Sequence, residues 1–331
     1  MKLKNLLTMS VVSSAIWLVP TPTEAAYILN PEIRTATPSL KIASQIGMLQ
    51  YINENDVFRK SEDKSAILVM SFGTTYKENR VKTIEATVQD IQSAHPNIKV
   101  VTAFTSHIII DRIEKNEGIQ YPTPEQALDK LKAAGYSRIA LVSLDIIPGI
   151  EYEYTKAIFN IYKNKFKAMT LSTSLLYWQG QDAQTDDFTY FITAIFKQVQ
   201  KPKKNAAVLL MAHGTPQPAN AYYSVLQAKL DEMGYKNVFV YTVEGWPSLQ
   251  TVIPKLKAGE ITEVLLVPLM LVAGDHANND MAGDDDESHK FLLTNEGFKV
   301  SVDLRGLGEN AAIRELYVKR ANEAWESLQD K

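Results

Sequence analysis

"LVMSFGTTY" (Leu68–Tyr76) and "LLMAHGTPQ" (Leu209–Gln217) are two versions of one pattern, one in each half of a chain of 331 residues. Each is an unbroken apolar run that ends in Gly-Thr. A strand half exposed to water alternates apolar and polar residues, whereas an unbroken run marks a strand buried on both faces, as in parallel sheets. Amphipathic helical patterns follow both, so each opens a strand–turn–helix unit.

The alternation continues outward from both stretches. In the first half, strands are expected over Ala66–Phe72, Ile98–Thr105 and Arg138–Ile147. A helix with a capping Thr123, Pro124 and a closing Gly135 lies between the last two. In the second half, strands are expected over Ala206–Ala212, Val238–Gly245 and Glu263–Val272, with helices over Ala219–Tyr235 and Ser248–Gly259. Asp186–Gln200 reads as a helix between the halves, and Lys201–Asn205 as a linker. "RIALVSLDIIPGIEYEY" parallels "EVLLVPLMLVAGDHANND", which sets Phe72 opposite His213, Gly149 opposite Gly274 and Glu151 opposite His276. The expected fold is α/β: two similar three-layer lobes with parallel sheets, arising from internal duplication.

Residues 1–26 read as a secretion signal: Lys2 and Lys4, a short apolar stretch, then small residues before Tyr27. That stretch is short for a membrane span, which needs roughly 20 apolar residues. The expected organisation is a signal over 1–26, an extension over 27–63 with a packed helix in "PSLKIASQIGMLQYINEN", a first lobe over 64–200 and a second lobe over 201–331. The mature chain is expected in the periplasm with no membrane span, and assembly into a homo-oligomer is compatible with it. The formal charge of −3 gives no basic face for nucleic acid.

The chain has no cysteine and five histidines. Thiolate metal sites, disulfides and cysteine nucleophiles are excluded, so a metal here is held by His, Asp, Glu, hydroxyl or backbone groups. In open α/β sheets ligands bind beyond the carboxyl ends of the strands. His213, Glu244, His276 and Glu151 all fall at such ends. Two imidazoles with carboxylates suit Co, Fe, Ni or Zn. Taken singly, each has a plainer reading: a structural histidine, a solvated strand end, a lysine partner. The acidic run Asp280, Asp284, Asp285, Asp286 and Glu287 reads first as a solvated loop, the alternative being that beside a metal site it raises the local cation concentration. His95, His107 and His289 are taken as surface residues. The turns after the first strand of each half offer backbone N–H groups to an anion.

"MAHGT", "VEGWP", "VPLMLVAGDHANNDMAGDDDESHK" and "VMSFGTTY" together resemble the anaerobic, sirohydrochlorin-type cobaltochelatases, a family of class II chelatases, over about Ser65–Glu326. The resemblance implies two α/β lobes around a cleft and insertion of Co²⁺ into a sirohydrochlorin-type tetrapyrrole on the route to cobalamin, with no organic cofactor. It implies metal ligation by His213, Glu244 and His276. It implies a first-lobe glutamate facing the macrocycle, Glu151 with Glu153 as rival, so that His213 and Glu151 are the catalytic pair. Phe72, Gly73, Thr74 and Thr75 are expected against the ring, Phe72 either stacked on it or in the core, with Lys77 and Arg80 as donors to its carboxylates. Export separates such an enzyme from a cytoplasmic pathway. The competing readings are therefore a ferrochelatase using Fe²⁺ and a non-catalytic periplasmic binder of metal or haem-like tetrapyrrole.

Overall fold

The computed structural model describes residues 32–43, 46–181 and 184–329. The expected signal over 1–26 lies outside them. In chain order the strands are β1 (Leu49–Ile52), β2 (Ser65–Ser71), β3 (Lys99–Phe104), β4 (Arg138–Ser143), β5 (Ala168–Leu171), β6 (Ala206–Ala212), β7 (Val238–Thr242), β8 (Glu263–Pro268) and β9 (Lys299–Val302).

They form two sheets, ordered β1-β5-β4-β2-β3 and β7-β6-β8-β9. Apart from the antiparallel β1, all pairs are parallel. Within each half the strand order is the same, second-first-third-fourth, as duplication requires. β2 and β6 are central strands with a core on each face, which is why they read as unbroken apolar runs.

The period-2 alternation of side chains sorts each central strand into two faces. Ile67 and Val69, and equally Val208 and Leu210, join one core shared by both lobes. Ala66, Leu68 and Met70 face a core closed by helices Pro124–Ala133 and Ile150–Tyr162. Ala207, Leu209 and Met211 face one closed by helix Leu249–Ala258. Both lobes are therefore three-layered.

The structure corrects several expectations. β4 stops at Ser143 and β8 at Pro268, so the apolar residues that follow belong to loops, and these loops carry site residues. The expected packed helix before β2 is a short helix, Pro38–Ala43, followed by β1. Gly47, at φ +80°, turns the chain there, and pairing with β1 satisfies the edge of β5 that a helix would leave open. The expected division at Lys201 assigns helix Ala311–Gln329 to the second lobe, yet it packs on the first sheet. Tyr317 Oη donates to Leu144 O at 2.9 Å, and Thr170 Oγ1 donates to Ala324 O at 2.8 Å. Its apolar stripe (Ile313, Tyr317, Ala321, Ala324) completes the face of β4 and β5 left open by the chain's own first half.

His95 is buried, its ring 5.6 Å from that of Trp325 on the same helix, and burial lowers its pKa. His289 is half-buried on Tyr241 Oη at 3.0 Å. Of the three histidines expected at the surface, only His107 is exposed. The other two are drawn in by aromatic neighbours that sequence spacing does not reveal.

Candidate active site

The carboxyl ends of both sheets open into one cleft of about 310 Å³. It is built by a reciprocal exchange between equivalent loops. The turn after β2 meets the loop after β8, and the turn after β6 meets the loop after β4. A Cβ on Gly149 would lie 3.3 Å from Thr215 Oγ1, and one on its counterpart Gly274 would lie 3.6 Å from Thr74 Oγ1. Tyr76 Oη donates to Asp275 Oδ1 at 3.4 Å, and Asn79 Nδ2 donates to Ala273 O. The cleft thus sits on the pseudo-twofold relation between the lobes. Residues paired by the sequence repeat line it together: Phe72 with His213, Glu151 with His276.

His213 follows β6 directly. Gly214, at φ +98°, lets the chain turn against Glu244, whose N–H donates to His213 O at 2.8 Å. Asn220 braces this turn, accepting from Thr215 N at 3.1 Å and donating to Trp246 O at 2.5 Å. His276 lies past β8, immediately before a helical turn over Ala277–Met281. The two imidazoles are 4.7 Å apart between ring centres and nearly perpendicular, at 82°.

Their hydrogen bonds decide which nitrogens are free. His213 Nδ1 lies 2.9 Å from Gly214 O, and His276 Nδ1 lies 2.7 Å from Asp280 Oδ2. Both oxygens only accept, so both Nδ1 atoms carry hydrogen and both Nε2 lone pairs are left for a metal. One member of the acidic run therefore has a specific task, orienting His276. Asp280→Ala is expected to weaken Co²⁺ binding about 10- to 100-fold, the usual cost of losing such a partner, as read by metal titration.

Glu244 is not gathered into this pair. Its side chain is exposed at the rim, and among the described residues no group of three His, Asp or Glu is close enough to hold a metal. The expected triad is a pair here, because the main chain of Glu244 runs against His213 while its carboxylate turns to solvent. Glu151 and Glu153 separate cleanly. Glu151 lines the cleft from the first turn of helix Ile150–Tyr162, whereas Glu153 points outward to Lys156 Nζ at 2.8 Å.

Phe72 is 49% exposed and lines the cleft with Gly73, Thr74 and Thr75, so it is not a core residue. Arg80, expected to face the macrocycle, is 1% exposed. It donates to Thr74 O at 3.0 Å and pairs with Glu117 at 2.6 Å, bracing the turn from behind. Lys77 does not line the cleft. Two further residues of the site are not evident from the sequence. Arg112, on helix His107–Glu117, is the one Lys or Arg among the described residues that lines the cleft, and its guanidinium has no partner among them. Asp145, in the loop after β4, also lines the cleft. Burial pushes its pKa up to about 7; the hydrogen bond from Ser143 lowers it and the nearby charge of Glu151 raises it.

The model of the cobalt chelatase (CbiK) family matches residues 65–326. The chain belongs to this family. It is 37% identical over 261 residues to a sirohydrochlorin cobaltochelatase of Salmonella typhimurium, covering 79% of this chain and 96% of that protein. It is 30% identical over 274 residues to the sirohydrochlorin cobaltochelatase CbiKC of Nitratidesulfovibrio vulgaris, covering 81% of this chain and 93% of that one. The fold is also that of SirB from Bacillus subtilis, solved with Fe³⁺, at TM-score 0.53 and 19% identity, covering 79% of this chain and 95% of that one. The expected chelatase family and fold are thus borne out. In this family member the match starts at residue 65, so β1, which caps the sheet edge, lies outside it.

Proposed function

We propose that this chain inserts Co²⁺ into sirohydrochlorin. The observation that carries the reading is the pair of imidazoles with both Nε2 atoms free, lining one cleft with a carboxylate and an exposed aromatic ring. Family membership and relatives named for that activity support it.

Metal insertion requires a partly dehydrated metal, loss of two pyrrole protons and nitrogen lone pairs turned toward the metal. His213 and His276 hold Co²⁺ as substrate from the second-lobe side and leave its remaining positions for ring nitrogens. Glu151 faces them from the first lobe and accepts a proton leaving the ring. Phe72 lies flat against the macrocycle, where its exposed ring gains an apolar partner. Glu244 adds a carboxylate to the metal when its side chain turns inward, since its main chain is already bonded to His213. On that assignment Glu244→Ala raises the Kd for Co²⁺ several-fold without changing the KM for the tetrapyrrole. Equal Co²⁺ affinity in the two proteins would leave it a rim residue.

The macrocycle is rimmed with carboxylates, and Arg112 is the unpaired cation of the cleft among the described residues. A guanidinium binds a carboxylate through two parallel hydrogen bonds. Arg112→Ala is expected to raise the KM for sirohydrochlorin about tenfold with kcat little changed, because the contact is equal in ground and transition states. We also propose, on the N-terminal pattern alone, that residues 1–26 direct export and that the reaction takes place in the periplasm.

The deciding experiment is an anaerobic absorbance assay with sirohydrochlorin and excess Co²⁺, with Fe²⁺ in parallel. Many turnovers per protein establish a chelatase, and the ratio of the two rates gives its metal. A single equivalent of metallated ring would instead make it a binding protein.

A further inference from the structure

We infer that Asp145 is a second proton-accepting carboxylate of this cleft, taking one of the two pyrrole protons while Glu151 takes the other. The inference rests on the metal-insertion reading and deepens it. Insertion breaks two N–H bonds. Both electron pairs stay on nitrogen and become metal–nitrogen bonds, the metal remains divalent, and two protons need acceptors. The histidines cannot serve while their Nε2 atoms hold the metal and their Nδ1 atoms already carry hydrogen.

The repeat within the chain makes Asp145 stand out. By the register that pairs Gly149 with Gly274, Asp145 corresponds to Met270. The backbone around the two is alike: Leu144 N donates to Met70 O at 2.9 Å, and Leu269 N donates to Met211 O at 2.7 Å. Both residues line the cleft. The fold is therefore satisfied by an uncharged thioether at this point, and a carboxyl group is not a packing requirement. A carboxyl drawn out of water into this lining costs free energy unless it is paired with a cation. None among the described residues pairs with it. The groups that face it are Ser143 of β4, Glu151 and Tyr152 of helix Ile150–Tyr162, and Tyr317 of helix Ala311–Gln329. Ser143 Oγ donates to Asp145 Oδ2 at 2.6 Å and accepts from Asp145 N at 3.0 Å, which fixes the carboxyl without neutralising it.

Burial first, and the nearby charge of Glu151 after it, keeps the Asp145 carboxyl from ionising in the ordinary carboxylate range. Its pKa is pushed up to about 7. Such a group accepts a proton during turnover and returns it to water at neutral pH.

The test compares full-length wild type, Asp145→Asn and Asp145→Met between pH 5.5 and 9, measuring kcat for cobalt insertion and, separately, Co²⁺ affinity. Asp145→Met puts in the first lobe what the second lobe carries at the same point, which guards against a misfolded asparagine variant. Wild-type kcat is expected to rise as pH passes through about 7, where Asp145 gains its charge. Both variants are expected to lose that rise and to fall in kcat by ~100-fold, with Co²⁺ affinity unchanged. Either variant retaining kcat and the wild-type pH profile would overturn the assignment while leaving the chelatase reading intact. Absence of wild-type turnover would overturn the reading beneath it, and this one with it.

Discussion

His213→Ala is expected to reduce cobalt insertion about a thousandfold, equivalent to roughly 4 kcal/mol of transition-state stabilisation. The substitution removes one of the two free Nε2 atoms of the paired imidazoles. It leaves His276 as a lone imidazole, and one nitrogen ligand holds a divalent metal far less tightly than two. The loss has a binding part and a chemical part. Raising Co²⁺ restores the first but not the second, since a metal held at one point is no longer aimed at the ring. The fold is expected to stay intact. His213 is only half-buried, and the bond its carbonyl accepts from Glu244 N–H involves main chain alone. Melting temperature and turnover measured on the same preparation separate the two effects. Activity within tenfold of wild type at low Co²⁺ would place the metal elsewhere.

Gly214→Ala is expected to damage both stability and activity. Gly214 has φ +98°, in the region that side chains disfavour, and a Cβ there would collide with Glu244 O. That neighbour is backbone and cannot swing aside. Either the His213 turn or the Glu244 turn must move, and each movement breaks the contact that holds the imidazole. A cost of about 3 kcal/mol is expected, lowering Tm by roughly 6–12 °C at two to four degrees per kcal/mol. Turnover is expected to fall at least ~100-fold, since a displacement of an ångström at a reacting centre has that effect. Gly135→Ala is the control. Gly135 has φ +80°, but a Cβ added there would meet nothing within 4 Å, so only the conformational strain of about 1 kcal/mol remains, far from the cleft. Equal effects at the two glycines would show that strain, not the close approach to Glu244, is what matters.

The repeat is the most informative feature of the sequence. It aligns Phe72 with His213, Gly149 with Gly274 and Glu151 with His276, and the structure places these pairs at matching points of one cleft. It is legible because strand ends and tight turns depend on local residues: an apolar run, then Gly-Thr. Asp145 is also visible as a lone acid inside an apolar stretch. It reads as strand because periodicity alone does not show where a buried strand stops. β5 and β9 escape for a related reason, being short strands whose pairing comes from neighbours far along the chain. Arg80 and Arg112 cannot be told apart by spacing, because both follow strand-end turns on helices, and only packing decides which points inward. Glu117 captures Arg80 behind the turn, leaving Arg112 free on the cleft side.

By itself the sequence determined the class of fold, the duplication, the absence of thiolate ligands and the two candidate histidines at strand ends, because each of these follows from residue type and local spacing. Only the tertiary structure decided which nitrogen of each histidine is free, which glutamate lines the cleft, where Glu244 stands and that Asp145 and Arg112 line the cleft too. Those depend on hydrogen bonds and burial between segments distant in the chain. Helix Ala311–Gln329 makes the same point at larger scale. Its apolar stripe is plain in the sequence, but the sheet it covers belongs to the other half, and it lies there because that is where apolar surface remained to be buried.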